Sequence, residues 1–259
     1  MSSLLRNWRR RRALTRAPIP DDLWGEAVRT SALLEGLGPT ERQRLREQAT
    51  QFQAEKRFFG AHGLEITPRM TLRIALEACL PILELGLDWY DQWTSIIVYS
   101  DDFVPRHEVM DESGILHVEE APYSGEAWER GPVVLSWGAL ERGETLAIHE
   151  FTHTLDMRNG AANGMPPLHR DMSPGDWTRI MTTAYDDLSQ RADHTPFDPY
   201  ATQDPPEFFA VMSEYFFARP HLLADHYPGV YRQFKRFFRQ DPLARLPRNG
   251  DDPYRRASG

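Results

Sequence analysis

A single cysteine, Cys79, in 259 residues excludes a disulfide framework and any cluster of thiolate ligands, so a metal bound here must rely on histidine and carboxylate. Cys79 lies in an apolar, helix-compatible run and reads as a small buried hydrophobe rather than a nucleophile. No apolar stretch is long and clean enough to span a bilayer. The most apolar window, 72–90, carries Arg73, Glu77, Glu84 and Asp88 and is broken by Pro81 and Gly86. The first arginines run into Ala17-Pro18-Ile19-Pro20-Asp21-Asp22 instead of the apolar core of an export signal. These absences predict a cytoplasmic protein with no membrane contact. Internal repeats and long low-complexity tracts are also missing.

Basic residues are sparse beyond the first turns of chain. Residues 1–16 hold six arginines and no acid, whereas the remainder has 24 basic against 38 acidic residues, a net −14. An acidic body argues against direct nucleic-acid binding, and a basic arm of this length is expected to be solvated. The expected organisation is a disordered N-terminal arm (1–20), one domain (21–245) large enough to bury a substantial core, and a mobile tail (246–259).

What is present is a pattern that carries chemistry. Leu146-Ala147-Ile148-His149-Glu150-Phe151-Thr152-His153-Thr154-Leu155-Asp156 sets H-E-x-x-H in a stretch without proline or glycine. On a helix, His149 and His153 lie one turn apart on one face, so both imidazoles can meet one metal ion. Glu150 lies about 100° further round, placed to reach a water on that ion without being a ligand. Such a pattern also arises by chance on solvated helices. Here the flanking Leu146, Ile148, Phe151 and Leu155 describe a largely buried helix, and buried His and Glu side chains need partners that a divalent cation supplies together.

The surrounding pattern predicts an α+β fold: mostly helical, with one small β-sheet beside the active helix. Helices are expected over 22–37, from an N-cap at Thr40 to near Gly60, in the early part of 72–87, over 173–192 behind Ser173-Pro174, over 207–217, and over 230–239. Short β-branched runs at 95–99 and 131–137 read as strands, with a third around 113–118. The segments 156–167 and 193–206 carry turn residues and read as loops.

Catalytic zinc takes three protein ligands and leaves one position open. A metzincin would continue with Gly and His where Asp156 and Asn159 stand, which excludes that class. A glutamate on a later helix is the other common solution, and 205–217 offers Glu207 and Glu214, seven residues apart on one face, so both cannot readily ligate one ion. Asp156 could orient His153 through its second ring nitrogen or cap the following loop.

The segments His149-Glu150-Phe151-Thr152-His153-Thr154-Leu155-Asp156-Met157-Arg158-Asn159-Gly160 and Pro206-Glu207-Phe208-Phe209-Ala210-Val211-Met212-Ser213-Glu214-Tyr215-Phe216-Phe217 together resemble the Mlc titration factor A family of bacterial zinc metallopeptidases. Leu80-Pro81-Ile82-Leu83-Glu84-Leu85-Gly86-Leu87, Gly131-Pro132-Val133-Val134-Leu135 and Gln240-Asp241-Pro242-Leu243 extend the likeness over most of the chain after residue 20. The family is similar in its catalytic fold to the protease domain of anthrax lethal factor. The resemblance implies a zincin-like fold, Zn2+ as cofactor, Glu207 as third ligand and Glu214 behind it. It also implies Tyr200 as the oxyanion donor and His117, in Gly114-Ile115-Leu116-His117, as a further, resting-state zinc ligand. The implied activity is aminopeptidase-like hydrolysis of short peptides, with Glu150 as general base, and the implied partner is the glucose-responsive repressor Mlc. Two other readings remain: a regulatory protein that sequesters a transcription factor with vestigial hydrolysis, and an amidase acting on non-peptide substrates.

Overall fold

The computed structural model describes residues 3–101, 106–110, 116–120, 125–127, 132–191 and 194–246. Helices dominate: α1 (Ser3–Arg16), α2 (Asp21–Thr30), α3 (Pro39–Glu55), α4 (Pro68–Cys79), α5 (Trp137–Glu141), α6 (Leu146–Asp156), α7 (Pro174–Gln190), α8 (Pro205–Ala218), α9 (Pro220–His226), α10 (Pro228–Phe238) and α11 (Pro242–Arg245). Seven of these begin with proline. The ring presets φ for the first helical residue, and its missing N–H would have lacked an intrahelical partner there anyway. Each such proline therefore marks where a new helix departs.

Strands β1 (Arg57–Gly60), β2 (Ser95–Tyr99), β5 (Gly125–Ala127) and β6 (Val133–Ser136) form one sheet in the order β1-β2-β6-β5. The first three are parallel, and β5 runs antiparallel to β6. All four residues of β6 are buried, as expected of a central strand covered on both faces. Strands β3 (Arg106–Met110) and β4 (Leu116–Glu120) form a separate antiparallel pair, so the strand expected around 113–118 belongs to a hairpin outside the main sheet.

The fold is α+β and mostly helical, with the sheet beside α6, which packs on β5 and β6. Three expectations need correction. Residues 3–16, expected within a disordered arm, form a helix whose arginines reach acids on the body: Arg10 Nε to Glu55 at 2.7 Å, its Nη1 to Asp88 at 2.8 Å, and Arg6 to Asp91 at 3.2 Å. The arginine run finds in the acidic body the counter-charges it lacks locally. Helix α3 starts at Pro39 rather than after Thr40, because Glu41 accepts a bond from the Gly38 N–H at 2.8 Å and closes the turn one residue earlier. It stops at Glu55, where Arg57–Gly60 turns to pair with β2. The tail expected over 246–259 falls, from 247 on, outside the described residues.

Two aromatic groups anchor the helices that matter for the site. Phe52 of α3 meets Phe58, Tyr90, Trp93 and Phe151 edge-on, with centroids 5.8–6.3 Å apart. Phe151 lies on α6 between His149 and His153, so this cluster fixes α6 against α3. On α8, Phe209 packs against Trp177 of α7 and against Phe234 and Phe237 of α10, at 5.5–6.0 Å. Lys56, buried beneath the first cluster, donates to the carbonyls of Tyr90 and Trp93 and lies 3.7 Å from the centre of the Trp93 ring. Burial draws its pKa down to about 8, against nearby acids that raise it.

Phe52 is fully buried at the centre of its cluster, so Phe52→Ala should lose about 3–5 kcal/mol of stability. Urea denaturation read by tryptophan fluorescence measures it; a change below about 1 kcal/mol would refute the anchoring role.

Candidate metal centre

Helix α6 is buried along all eleven residues, which follows from its apolar flanks and leaves its polar side chains dependent on protein partners. Its two histidines face the first turn of α8. That turn is set by sequence: Asp204 caps the helix by accepting from the Glu207 N–H at 2.9 Å, and Pro205 and Pro206 open it. Glu207 therefore leaves the first turn with its carboxylate toward α6.

The three side chains converge. His149 Nε2 lies 3.0 Å from Glu207 Oε2, His153 Nε2 lies 3.4 Å from the same oxygen, and the two nitrogens are 3.1 Å apart. Ligands around a tetrahedral zinc at 2.0–2.1 Å are separated by about 3.3–3.4 Å, so this triangle is close to one face of such a site. Among the described residues these three form the one group of His, Cys, Asp or Glu donors close enough to share an ion. Glu207 Oε2 is buried with no hydrogen-bond partner among the described residues, despite two imidazoles beside it. An orphaned acceptor facing two ring nitrogens is the signature of a place meant for a cation, and the donor set of two imidazoles and a carboxylate fits a borderline divalent metal.

The protonation pattern points the same way. Nδ1 of His149 lies 2.8 Å from Glu214 Oε1. A carboxylate only accepts, so Nδ1 carries the proton, and in the neutral ring the lone pair is on Nε2, facing Glu207 and His153. Glu214 is in turn held by the Thr145 hydroxyl, which precedes α6. Burial opposes a charge on His149, yet the neighbouring carboxylates of Glu207 and Glu214 outweigh this and hold its pKa well above the ordinary histidine value. Burial likewise pushes Glu207 up, but the two histidines draw it down to about 2. The two shifts are one coupling: the carboxylates favour a charged ring, and the rings favour a charged carboxylate.

Glu150 differs. It is buried, with Oε2 lacking a hydrogen-bond partner among the described residues, and desolvation raises its pKa to about 7 in spite of the adjacent histidines. Tyr200 lies on a short turn, Pro199–Thr202, immediately before α8, with its ring centre 6.0 Å from that of His149. Its backbone is pinned by Asp198, which accepts from the Tyr200 N–H at 2.9 Å. Asp156 takes the capping role of the two expected for it: Oδ2 accepts from the N–H groups of Asn163 and Gly164 at 2.8 and 2.7 Å. His117 falls on β4, opposite Val109, and its side chain lies outside the described residues.

The structure thus brings together His149, His153 and Glu207, with Glu150 and Tyr200 adjacent. Sequence reasoning missed Thr145 and Gly164. Thr145 stands at the helix start, where it reads as a cap, but its hydroxyl goes to Glu214 instead of the helix N–H groups. Gly164 has φ +77°, and a Cβ there would come within 2.6 Å of the Pro205 carbonyl oxygen. Only glycine allows the loop after α6 to touch the start of α8 this closely.

The profile of the family described as glucose-regulated metallo-peptidase M90 matches residues 5–239. The chain is also 41% identical over 237 residues to proteins named Mlc titration factor A from Yersinia pestis (strain Pestoides F) and Yersinia pseudotuberculosis (serotype O:1b, strain IP 31758), covering 87% of this chain and 87% of each relative.

Removing the carboxylate that holds His149 Nδ1 should loosen the donor triangle without deleting a member of it. Glu214→Ala is expected to weaken metal binding by about 10–100-fold, measured by competition with a chromogenic chelator; unchanged affinity would show that the Glu214 contact does not orient the ring.

Proposed function

This chain belongs to the glucose-regulated metallo-peptidase M90 family, and from that premise we propose that it hydrolyses peptide bonds using a zinc ion held by His149, His153 and Glu207. The observation that carries the reading is the triangle of donor atoms at 3.0–3.4 Å, one of them a buried carboxylate oxygen without a hydrogen bond among the described residues. The ion would supply the Lewis acidity that lets water attack a peptide carbonyl near neutral pH.

The remaining steps fall to side chains. Glu150 takes a proton from the attacking water as its oxygen bonds to the carbonyl carbon. It returns that proton to the amine nitrogen as the C–N bond breaks. A base poised near neutrality suits both halves of the cycle, which the desolvated carboxyl of Glu150 at about 7 supports. Tyr200, beside His149, donates its phenolic hydrogen to the carbonyl oxygen as negative charge gathers there. Glu214 acts through His149, keeping its Nε2 unprotonated. Short peptides with a free amino terminus are the proposed substrates.

A second reading rests on the name shared by the relatives, Mlc titration factor A: the chain binds a repressor resembling Mlc. A repressor is met in the cytoplasm, and a chain with one buried cysteine and no disulfide suits that reducing compartment. Among the described residues no helix is long and apolar enough to cross a membrane. An intact set of donors together with Glu150 and Tyr200 favours retained hydrolysis over a role in sequestration alone.

Metal analysis paired with assays on aminoacyl p-nitroanilides separates these readings. Glu150→Gln should keep about one metal per chain and lose turnover by 10²-fold or more, on the order of the general-base contribution. Glu207→Gln should lose both metal and turnover. A Glu150→Gln protein with full activity would remove the base assignment, and a wild-type protein that stays active after chelation would remove the metal. Tyr200→Phe should lower kcat by about 10²–10³-fold with little change in metal content; loss confined to KM would instead make it a substrate-packing residue.

A further inference from the structure

One hydrogen bond from Glu214 fixes the His149 ring incompletely. The terminal torsion of a glutamate is broad and roughly two-fold, so a carboxylate held through Oε1 alone can turn about its own axis and let the imidazole turn with it. The Glu214 side chain is 22% exposed, and water at its second oxygen would not hold it in one plane. That oxygen is engaged: Oε2 accepts from the Thr145 hydroxyl. Two bonds, one at each oxygen, define the plane of the carboxylate.

Thr145 gives up an ordinary role to make this bond. A hydroxyl at the start of a helix usually accepts from a backbone N–H two or three residues on, which stabilises by about 1 kcal/mol. Thr67, Ser136 and Ser173, at the starts of α4, α5 and α7, do so at 3.1–3.2 Å. Thr145 makes no such bond, and no acidic residue in the first turn of α6 takes its place. Its backbone, at φ −90° and ψ 27°, lies outside the extended region that the other three adopt. The result is a closed circuit. The Thr145 carbonyl accepts from the His149 N–H at 3.1 Å, His149 Nδ1 donates to Glu214 Oε1 at 2.8 Å, and Glu214 Oε2 accepts from the Thr145 hydroxyl. Thr145 and His149 are four residues apart, so one carboxylate from α8 can span both. Backbone and ring of His149 are thereby tied to the same residue, and Nε2 faces Glu207 and His153 only while the ring keeps this orientation.

We propose that Thr145 is a positioning residue of the metal centre: through Glu214 it fixes the plane of the His149 ring, and so sets how tightly the three donors hold an ion. This rests on the reading of His149, His153 and Glu207 as metal ligands and adds to it a residue that touches none of the reacting atoms.

Zinc affinity of the full chain, measured by competition with a chromogenic chelator, tests this without an activity assay. Thr145→Val keeps the shape of the side chain but has no donor, and should weaken zinc binding about tenfold, the lower end of the range for partners of ligating histidines. Thr145→Ser keeps the hydroxyl and should stay within about twofold of the wild type, the margin expected of a substitution that leaves the bond in place. In a Glu214→Ala background, Thr145→Val should change affinity by less than about twofold, whereas a residue with an effect of its own would add to the loss. Thr145→Ala also removes the donor and serves where Thr145→Val does not fold. Unchanged affinity in a folded Thr145→Val or Thr145→Ala protein, a Thr145→Ser protein as weak as Thr145→Val, or a full additional loss in the double variant would each overturn the proposal. A wild type with no affinity for zinc would instead remove the metal reading, and this proposal with it.

Discussion

Three lone pairs directed at one point set the terms for this molecule. Two imidazole nitrogens and a carboxylate oxygen, all 3.0–3.4 Å apart, cannot be reconciled by hydrogen bonds alone. The proton of a neutral His149 lies on Nδ1, at Glu214, and leaves the edge from Nε2 to Glu207 without a hydrogen. Water offers little help, because both histidines sit on a helix buried from end to end. A divalent cation would answer all three donors together, and in doing so would also favour the folded state, since the unfolded chain holds no such site.

The fold holds this arrangement by tying the end of α6 to the start of α8. Asp156, the last residue of α6, accepts the N–H groups of Asn163 and Gly164. Gly164, at φ +77°, lies against the Pro205 carbonyl, and its own carbonyl accepts from the Trp177 indole at 3.0 Å. One glycine thus connects the helix carrying both histidines, the helix carrying Glu207, and the aromatic cluster behind them. Glu214 makes a second tie across the same two helices, through His149 and Thr145. The site is bridged twice, once at the turn that presents Glu207 and once a little over two turns further along α8. The relative position of α6 and α8 is therefore set by short polar contacts, while Phe151 and Phe209 supply the apolar burial that keeps water from competing for them.

Much of this was legible because it is local. The two-histidine motif, its apolar flanks and the Ser173-Pro174 start of α7 depend on neighbours within a few residues, so the chain reveals them directly. The strand at 95–99 could be read for the same reason. Strand β1 could not: Arg57-Phe58-Phe59-Gly60 is short, and its pairing partner begins at Ser95, so only tertiary contact defines it. Helix α1 escaped for a related reason, since its arginines are satisfied by Glu55, Asp88 and Asp91 from other parts of the chain. Helix α9 did carry a signal, Pro220, of the kind used at Ser173-Pro174, but Arg219 before it offers no side-chain acceptor to mark a cap. Between Glu207 and Glu214 the periodicity alone could not choose. Position in the helix decides it: Glu207 sits in the first turn facing both rings, whereas Glu214 reaches the far nitrogen of one.

Buried glutamates in this molecule show how environment divides one side chain into different roles. Glu207, although burial opposes its charge, is held ionised by two histidines and sits at about 2. Glu150, one residue from His149, is so thoroughly desolvated that the same histidines leave it at about 7. The difference lies in contact: Glu207 Oε2 lies 3.0 and 3.4 Å from ring nitrogens, while Glu150 Oε2 has no hydrogen-bond partner among the described residues. A carboxylate held firmly charged suits a ligand, and one balanced near neutrality suits proton exchange. Glu77 is a third case, half satisfied by Arg73 and with its other oxygen buried without a hydrogen-bond partner among the described residues. Since desolvation acts on all three, the partner each one has or lacks separates a carboxylate held charged by two rings from one balanced near neutrality and one only half satisfied by an arginine.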